Sequence, residues 1–182
     1  MNWKTELKKL EQNKLWDTAI ELLQHVINEE PNNMEAYINM NYLLMNLLVE
    51  EKHDESKHSH YEKLTMKYFI ASYEKFSNNP EYLFFTGITA CMSEWYFGVE
   101  LEEAEAMIQK SLKLEPENIL YKWAYYGSLD IYQNANEKRI AIYYAKKILE
   151  KNSSLKKILE TKGSIGSYLL DIMTNWSKKV AN

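Results

Sequence analysis

One spacing of small and large apolar residues recurs along the chain. In AIELLQHVINEEP, Ala19 is followed four residues on by Leu23, three further by Val26 and five further by Pro31. AEAMIQKSLKLEP repeats the same offsets with Ala104, Ile108, Ser111 and Pro116. AIYYAKKILEKNS keeps them in Ala141, Ala145 and Ile148, with Ser153 where proline stood. Steps of four and three place these positions on one face of an α-helix. The small residue admits a neighbouring helix closely, and proline follows because it cannot continue the hydrogen-bond ladder. Each stretch therefore predicts a packed helix.

A second helical segment precedes each copy. Trp3, Leu7 and Leu10, then Leu15 and Trp16, stand before the first. After Pro31 comes MEAYINMNYLLMNLL, with Ala36, Tyr37, Met40 and Leu44 on one stripe, and after Pro116 comes ILYKWAYYGSLDIYQ, ending in the polar run from Gln133 to Asn136. The pattern is helix, turn, helix, repeated, and pairs this short must stack on neighbours to bury their faces. Intervals between stop positions locate an irregularity: 49 residues separate Pro31 from Pro80, against 36 from Pro80 to Pro116 and 37 from Pro116 to Ser153. The excess matches EEKHDESKHSHYEK, residues 50–63, which predicts an insertion between the two helices of the second pair. GSIGS at 163–167 is expected to break the chain before a last amphipathic helix. That helix, about 164–180, should cap the open end of the stack through Leu169, Ile172, Met173 and Trp176.

These residues resemble the tetratricopeptide repeat family, whose unit is a pair of antiparallel helices of about 34 residues. The closest passage is WKTELKKLEQNKLWDTAIELLQHVINEEPNNMEAYINMN. There Trp3 matches the large aromatic of the first helix and Trp16 the aromatic before the second. Ala19, Leu23, Val26 and Pro31 match the second helix and its stop, and Tyr37, Met40 and Asn41 restart the motif. Asn41 and Leu7 stand where the family usually has glycine, so packing there is expected to be shifted. The resemblance spans residues 2–153 as about four units, strong in the first and third. It implies an all-α solenoid of antiparallel helix pairs, a single domain over residues 1–182.

Composition agrees with that class. Five glycines and three prolines in 182 residues leave little turn signal for a β fold. A formal net charge of −4 gives no electrostatic footprint for nucleic acid or an anionic membrane. No apolar run approaches the roughly 20 residues that cross a bilayer, and MNWKTELKKLEQ carries charges where a signal peptide needs an apolar core. A cytoplasmic location is the expectation. Cys91 is the single cysteine, so no disulfide can form within the chain.

Tests for chemistry find little. GSIGS lacks the spacing of a dinucleotide fingerprint and the lysine of a P-loop. Cys91 lies among small and apolar residues, as a packing thiol would. His25 has no acid positioned as its partner. In the insertion, His58 and His60 share a face only in a strand, whereas Asp54 and His58 share one only in a helix, and no second cluster stands at a zinc spacing. The reading is a non-catalytic domain with no catalytic residue, no metal site and no cofactor.

The resemblance implies that the first helix of each pair lines a groove that takes a protein or peptide. Carried over, its face comprises Lys4 and Lys8 in the first unit and Ile38, Tyr42 and Met45 in the second. Thr89, Ser93 and Tyr96 follow in the third, and Trp123, Tyr126 and Asp130 in the fourth. This would be an aromatic groove with a basic mouth, and aromatics and methionine supply much of the energy of protein interfaces. Family members that hold a chaperone's C-terminal carboxylate use lysines and asparagines across units. Lys4 and Asn39 match, but Lys8, Thr86 and Ala90 do not, so that ligand is not expected. Three functions stay open. One is a general protein-binding adaptor. Another is a dedicated inhibitor or chaperone, such as a bacterial immunity protein whose insertion acids face a basic toxin, and the last is a metal-dependent enzyme using His53, His58 and His60.

Overall fold

The computed structural model describes residues 2–128 and 135–178. Four helix pairs follow one another: α1 (Trp3–Gln12) with α2 (Trp16–Glu29), then α3 (Met34–Val49) with α4 (His58–Phe76). The third joins α5 (Pro80–Cys91) to α7 (Leu101–Leu114) across the single-turn α6 (Glu94–Phe97), and the fourth joins α8 (Ile119–Ser128) to α9 (Ala135–Leu149). Two helices remain, α10 (Ser154–Glu160) and α11 (Gly163–Lys178). No strand occurs among the described residues, and none of their helices is long and apolar enough to cross a membrane. The chain is an all-α, tetratricopeptide-like helical repeat.

Each opening helix of a pair starts in the same way. Asn2, Asn33, Asn79 and Asn118 accept backbone N–H bonds from Lys4, Ala36, Glu81 and Leu120 with their side-chain oxygens. These caps satisfy donors that a helix start leaves orphaned. Pro80 occupies the first turn of α5, where its missing N–H costs nothing. It opens the third pair rather than closing the second.

The predicted packing faces are buried: Ala19, Leu23 and Val26 on α2, Ala104, Ile108 and Ser111 on α7, and Ala141, Ala145 and Ile148 on α9. The structure adds a copy on α4, where Thr65, Phe69 and Ser72 keep the same offsets and are buried too. Apolar side chains gather in two clusters, one built by the first two pairs, the other by the last two with α10 and α11. Helix α3 serves both. Ala36, Tyr37, Met40 and Leu44 face the first cluster, and Ile38, Tyr42 and Met45 face the second, so apolar residues cover most of the circumference of α3. Asn41, at a glycine position of the family, is buried and donates from Nδ2 to Ser72 Oγ at 3.2 Å. Gly87 takes the close approach instead: a Cβ there would lie 3.0 Å from Ile108 Cγ1 and from Met107 Cβ.

Three boundaries differ from expectation. The insertion is half loop and half helix, because α4 begins at His58 and residues 58–63 extend it backwards. The break before the last helix falls at the start of 163–167 rather than across it: Gly163, with φ +69°, closes the turn after α10, and the residues that follow form the first turn of α11. Gly166 lets that turn pack on α10, since a Cβ there would lie 1.9 Å from Leu159 O. Finally, α11 does not sit only at the end of the stack. It packs against α1, α3 and α9, and residues 179–180 of the expected cap lie outside the described residues.

Candidate interaction site

Helix α11 packs on α9 and reaches across the side that the first helices α1 and α3 present. Tyr168 meets Tyr42 with ring centroids 6.0 Å apart, and Trp176 meets Trp123 at the same separation. Ile165, Leu169 and Met173 are fully buried in one cluster with Ile38, Tyr42, Met45 and Trp123. This corrects the expectation of an open aromatic groove. Tyr42 and Trp123 are covered by rings of the chain's own last helix, while Ile38 and Met45 are buried in the same cluster, where α3 also packs on α5; an amphipathic helix must bury its apolar stripe somewhere. Thr89 and Ser93 are buried as well, Thr89 donating to Phe85 O at 2.8 Å. Tyr96 and Tyr126 are half-buried, Lys4 is half-buried, Lys8 is exposed, and Asp130 lies outside the described residues.

A charged latch fixes the α10–α11 turn to this face. Lys162 donates to Glu35 Oε1 at 2.6 Å on α3 and pairs with Glu81 on α5, while Lys4 on α1 pairs with Glu35 from the other side. Its ammonium also sits 5.8 Å from the Phe85 ring centroid. Burial pulls the Lys162 ammonium down, but the two carboxylates outweigh it and hold it above its ordinary value. Burial likewise pushes Glu35 up, and the two lysines reverse that, leaving it below the usual carboxylate range. Lys4, expected at the mouth of a ligand groove, is thus paired within the chain. Beside α11 a cleft of about 290 Å³ lies among Lys8, Glu11, Tyr42, Asn46, Glu51 and Ser164.

The insertion is held to the body by its own charges. Lys14 pairs with Glu51 at 2.8 Å, Lys57 pairs with Asp17, and Tyr61 donates to Asp17 at 2.9 Å. Hydrogen bonding from Lys57 lowers the Asp17 carboxyl below its ordinary value. Asp54 accepts from Ser56 N and caps the short 3-10 turn Glu55–Lys57. His53 Nε2 and His58 Nδ1 are 3.1 Å apart, His53 Nδ1 bonds Glu51 O, and His58 Nε2 faces Tyr96 Oη at 3.3 Å. His60 stands apart, near the Asp17 carboxylate, so the three histidines do not converge on one point. Among the described residues no three His, Cys, Asp or Glu side chains are grouped to hold a metal ion. Burial pushes the Cys91 thiol up to about 12, with Glu105 and Glu94 adding to it, so the nucleophilic thiolate is disfavoured.

The accessible apolar surface lies elsewhere. On α4, Met66, Ile70 and Tyr73 are 43%, 49% and 37% exposed at steps of four and three, a continuous stripe on the outer side. Helix α6 lies alongside: Phe97 packs edge-on against Phe69, and a Cβ on Gly98 would be 3.1 Å from Met66 Cε. It carries Trp95, 60% exposed. Sequence reasoning missed this stripe because it looked for ligands on the first helix of each pair. The signal was available in Met66, Ile70 and Tyr73, each one residue after Thr65, Phe69 and Ser72 and so about 100° round the helix from that face.

No family model matches the chain, and no curated protein matches its sequence. Among solved structures, the crystal structure of MamA aligns with 94% of this chain and 90% of its own, at 16% identity and a TM-score of 0.44. The fold described above rests on the chain's own helix pairing.

Proposed function

We propose that the chain is a non-catalytic protein-binding module that meets its partner through the outer face of α4 and α6. The observation that carries this reading is the exposed stripe of Met66, Ile70 and Tyr73 beside Trp95. Aromatic and methionine side chains on a rigid helix are the residue types that dominate interface energetics. The inner face is a poorer site, because a ligand there would have to displace Leu169 and Met173 from full burial at roughly 1.5–3 kcal/mol each. Lys8, Tyr96 and Tyr126 keep enough exposure to contribute at its edges.

The test is to isolate the tagged protein and its Ile70→Glu variant from the native cell and identify what co-purifies. Loss of the partners from the variant, with the helical signal and melting temperature unchanged, is the expected result. Retention of every partner by the variant would refute this face. A single stoichiometric partner would select the dedicated inhibitor or chaperone among the forms of this function, and many substoichiometric ones the adaptor.

A further inference from the structure

The charges that flank the α4 stripe specify a second copy of this chain as an occupant. Lys67 and Glu74 are exposed on the same side of the stripe, Lys67 three residues before Ile70 and Glu74 four after it. Neither forms an ion pair among the described residues, and Lys67 only rests over the Tyr68 ring at 5.2 Å. Written as a heptad, Met66 and Tyr73 take d positions, Ile70 an a position, and Lys67 and Glu74 successive e positions. In an antiparallel contact of two such helices, a layers meet d layers and e positions face e positions. Ile70 then packs on Tyr73 of the second copy, and Lys67 faces Glu74 of the second copy, twice over by symmetry.

The parallel alternative is worse. Lys63 occupies the preceding a position and would lie against Lys63 of the second copy, a like-charge contact in the apolar seam. The antiparallel arrangement carries Lys63 out past the stripe. Trp95, beside the α4 stripe on α6, adds apolar area at the rim.

We propose that the chain forms an isologous dimer through α4, antiparallel about Ile70, with Lys67 and Glu74 setting the register. The proposal rests on the outer-face reading above and names one partner for that face. A closed two-fold contact of this kind is the commonest form of self-association. The seam is short, so the dimer belongs at the small end of specific interfaces, with a Kd on the order of 10–100 µM. Exposed ion pairs contribute little energy, so the charges select orientation while the apolar residues supply affinity.

Sedimentation velocity of the full chain at low salt, from about 1 to about 300 µM, tests this. The wild type is expected to pass from monomer to dimer, and Ile70→Glu to stay monomeric throughout. Lys67→Glu is expected to weaken the dimer about fivefold or more by setting glutamate against Glu74, and Lys67→Glu combined with Glu74→Lys to return it to within about twofold of wild type. All these positions are exposed, so the variants should fold, which circular dichroism checks. A monomeric wild type, a dimer indifferent to Ile70→Glu, or a double exchange no better than Lys67→Glu alone would each overturn the proposal. A monomeric wild type whose Ile70→Glu variant still loses a cellular partner would overturn self-association while leaving the outer-face reading standing.

Discussion

Helices α3 and α4 carry the same three residue types at the same spacing, with opposite fates. Ile38, Tyr42 and Met45 on α3 are 2%, 6% and 0% exposed; Met66, Ile70 and Tyr73 on α4 are 43%, 49% and 37% exposed. Both triads step by four and three along an α-helix, and each sits on a helix whose opposite face is already buried. The difference is what packs on each face. On the inner side α5 and α11 supply apolar side chains and Lys162 adds a latch, whereas on the outer side the single turn of α6 approaches. An apolar triad at helical spacing thus reports that something covers it, and does not report whether the cover belongs to the same chain.

The largest effect expected from breaking this contrast is on the covered side. Leu169→Ala removes a fully buried side chain from the α11 stripe and should cost about 2–5 kcal/mol in urea unfolding. Gly166→Ala forces α10 and α11 apart at the contact with Leu159 O and should cost about 1–3 kcal/mol, read by the same titration. If either left stability unchanged, α11 would be a loose appendage and the inner face an open groove after all.

The latch sharpens the comparison next. Lys162→Ala strands Glu81 and leaves Glu35 with Lys4 alone, and because both carboxylates are about one-third exposed, about 1–2 kcal/mol is expected rather than the full loss of a buried pair. Its pH dependence has a definite sign. Glu35 is held below its ordinary 4.5, so its stabilisation is present above that pH and is lost as pH falls through the lower folded value. Lys162 is held above 10.5, so its contribution is present below that pH and is lost only in more alkaline solution. Thermal melts between about pH 3 and 6 should therefore show a steeper loss for wild type than for Lys162→Ala. Parallel curves would mean that the latch is solvated.

The smallest stability effect belongs to the outer triad. Ile70→Ala should change unfolding free energy by no more than about 0.5 kcal/mol, since half of the side chain already meets water. Measured against Leu169→Ala, a comparable cost would erase the distinction between the two faces. A negligible cost together with lost association would make the outer triad a binding surface and nothing else.

Much of the fold was legible because helix pairing is local. Ala19, Ala104 and Ala141 announce their helices through spacing, and the interval from Pro31 to Pro80 announces the insertion, since each depends on neighbours a few residues away. The second pair was harder to read. Its small position is Thr65, whose hydroxyl donates to Tyr61 O at 2.9 Å, so a polar residue type served a buried packing place. The asparagine caps at Asn2, Asn33, Asn79 and Asn118 were present in the sequence as a further repeat signal, masked by the chain's abundance of asparagine.

The candidate site was less legible, for a reason of distance. Lys4, Tyr42 and Trp123 stand on the first helices of their own pairs, and those places alone point to a groove. Their burial is decided by residues 162–176, which arrive from far along the chain and carry no local mark of where they dock. What the sequence by itself determined is the period, the helices and the faces on which apolar residues lie, because backbone hydrogen bonding and side-chain spacing act over a few residues. Which of two similar apolar faces is covered and which meets solvent was decided only by tertiary structure. The stripe of α11 can be buried against one face only, and the carboxylates of Glu35 and Glu81 that hold Lys162 stand on that side.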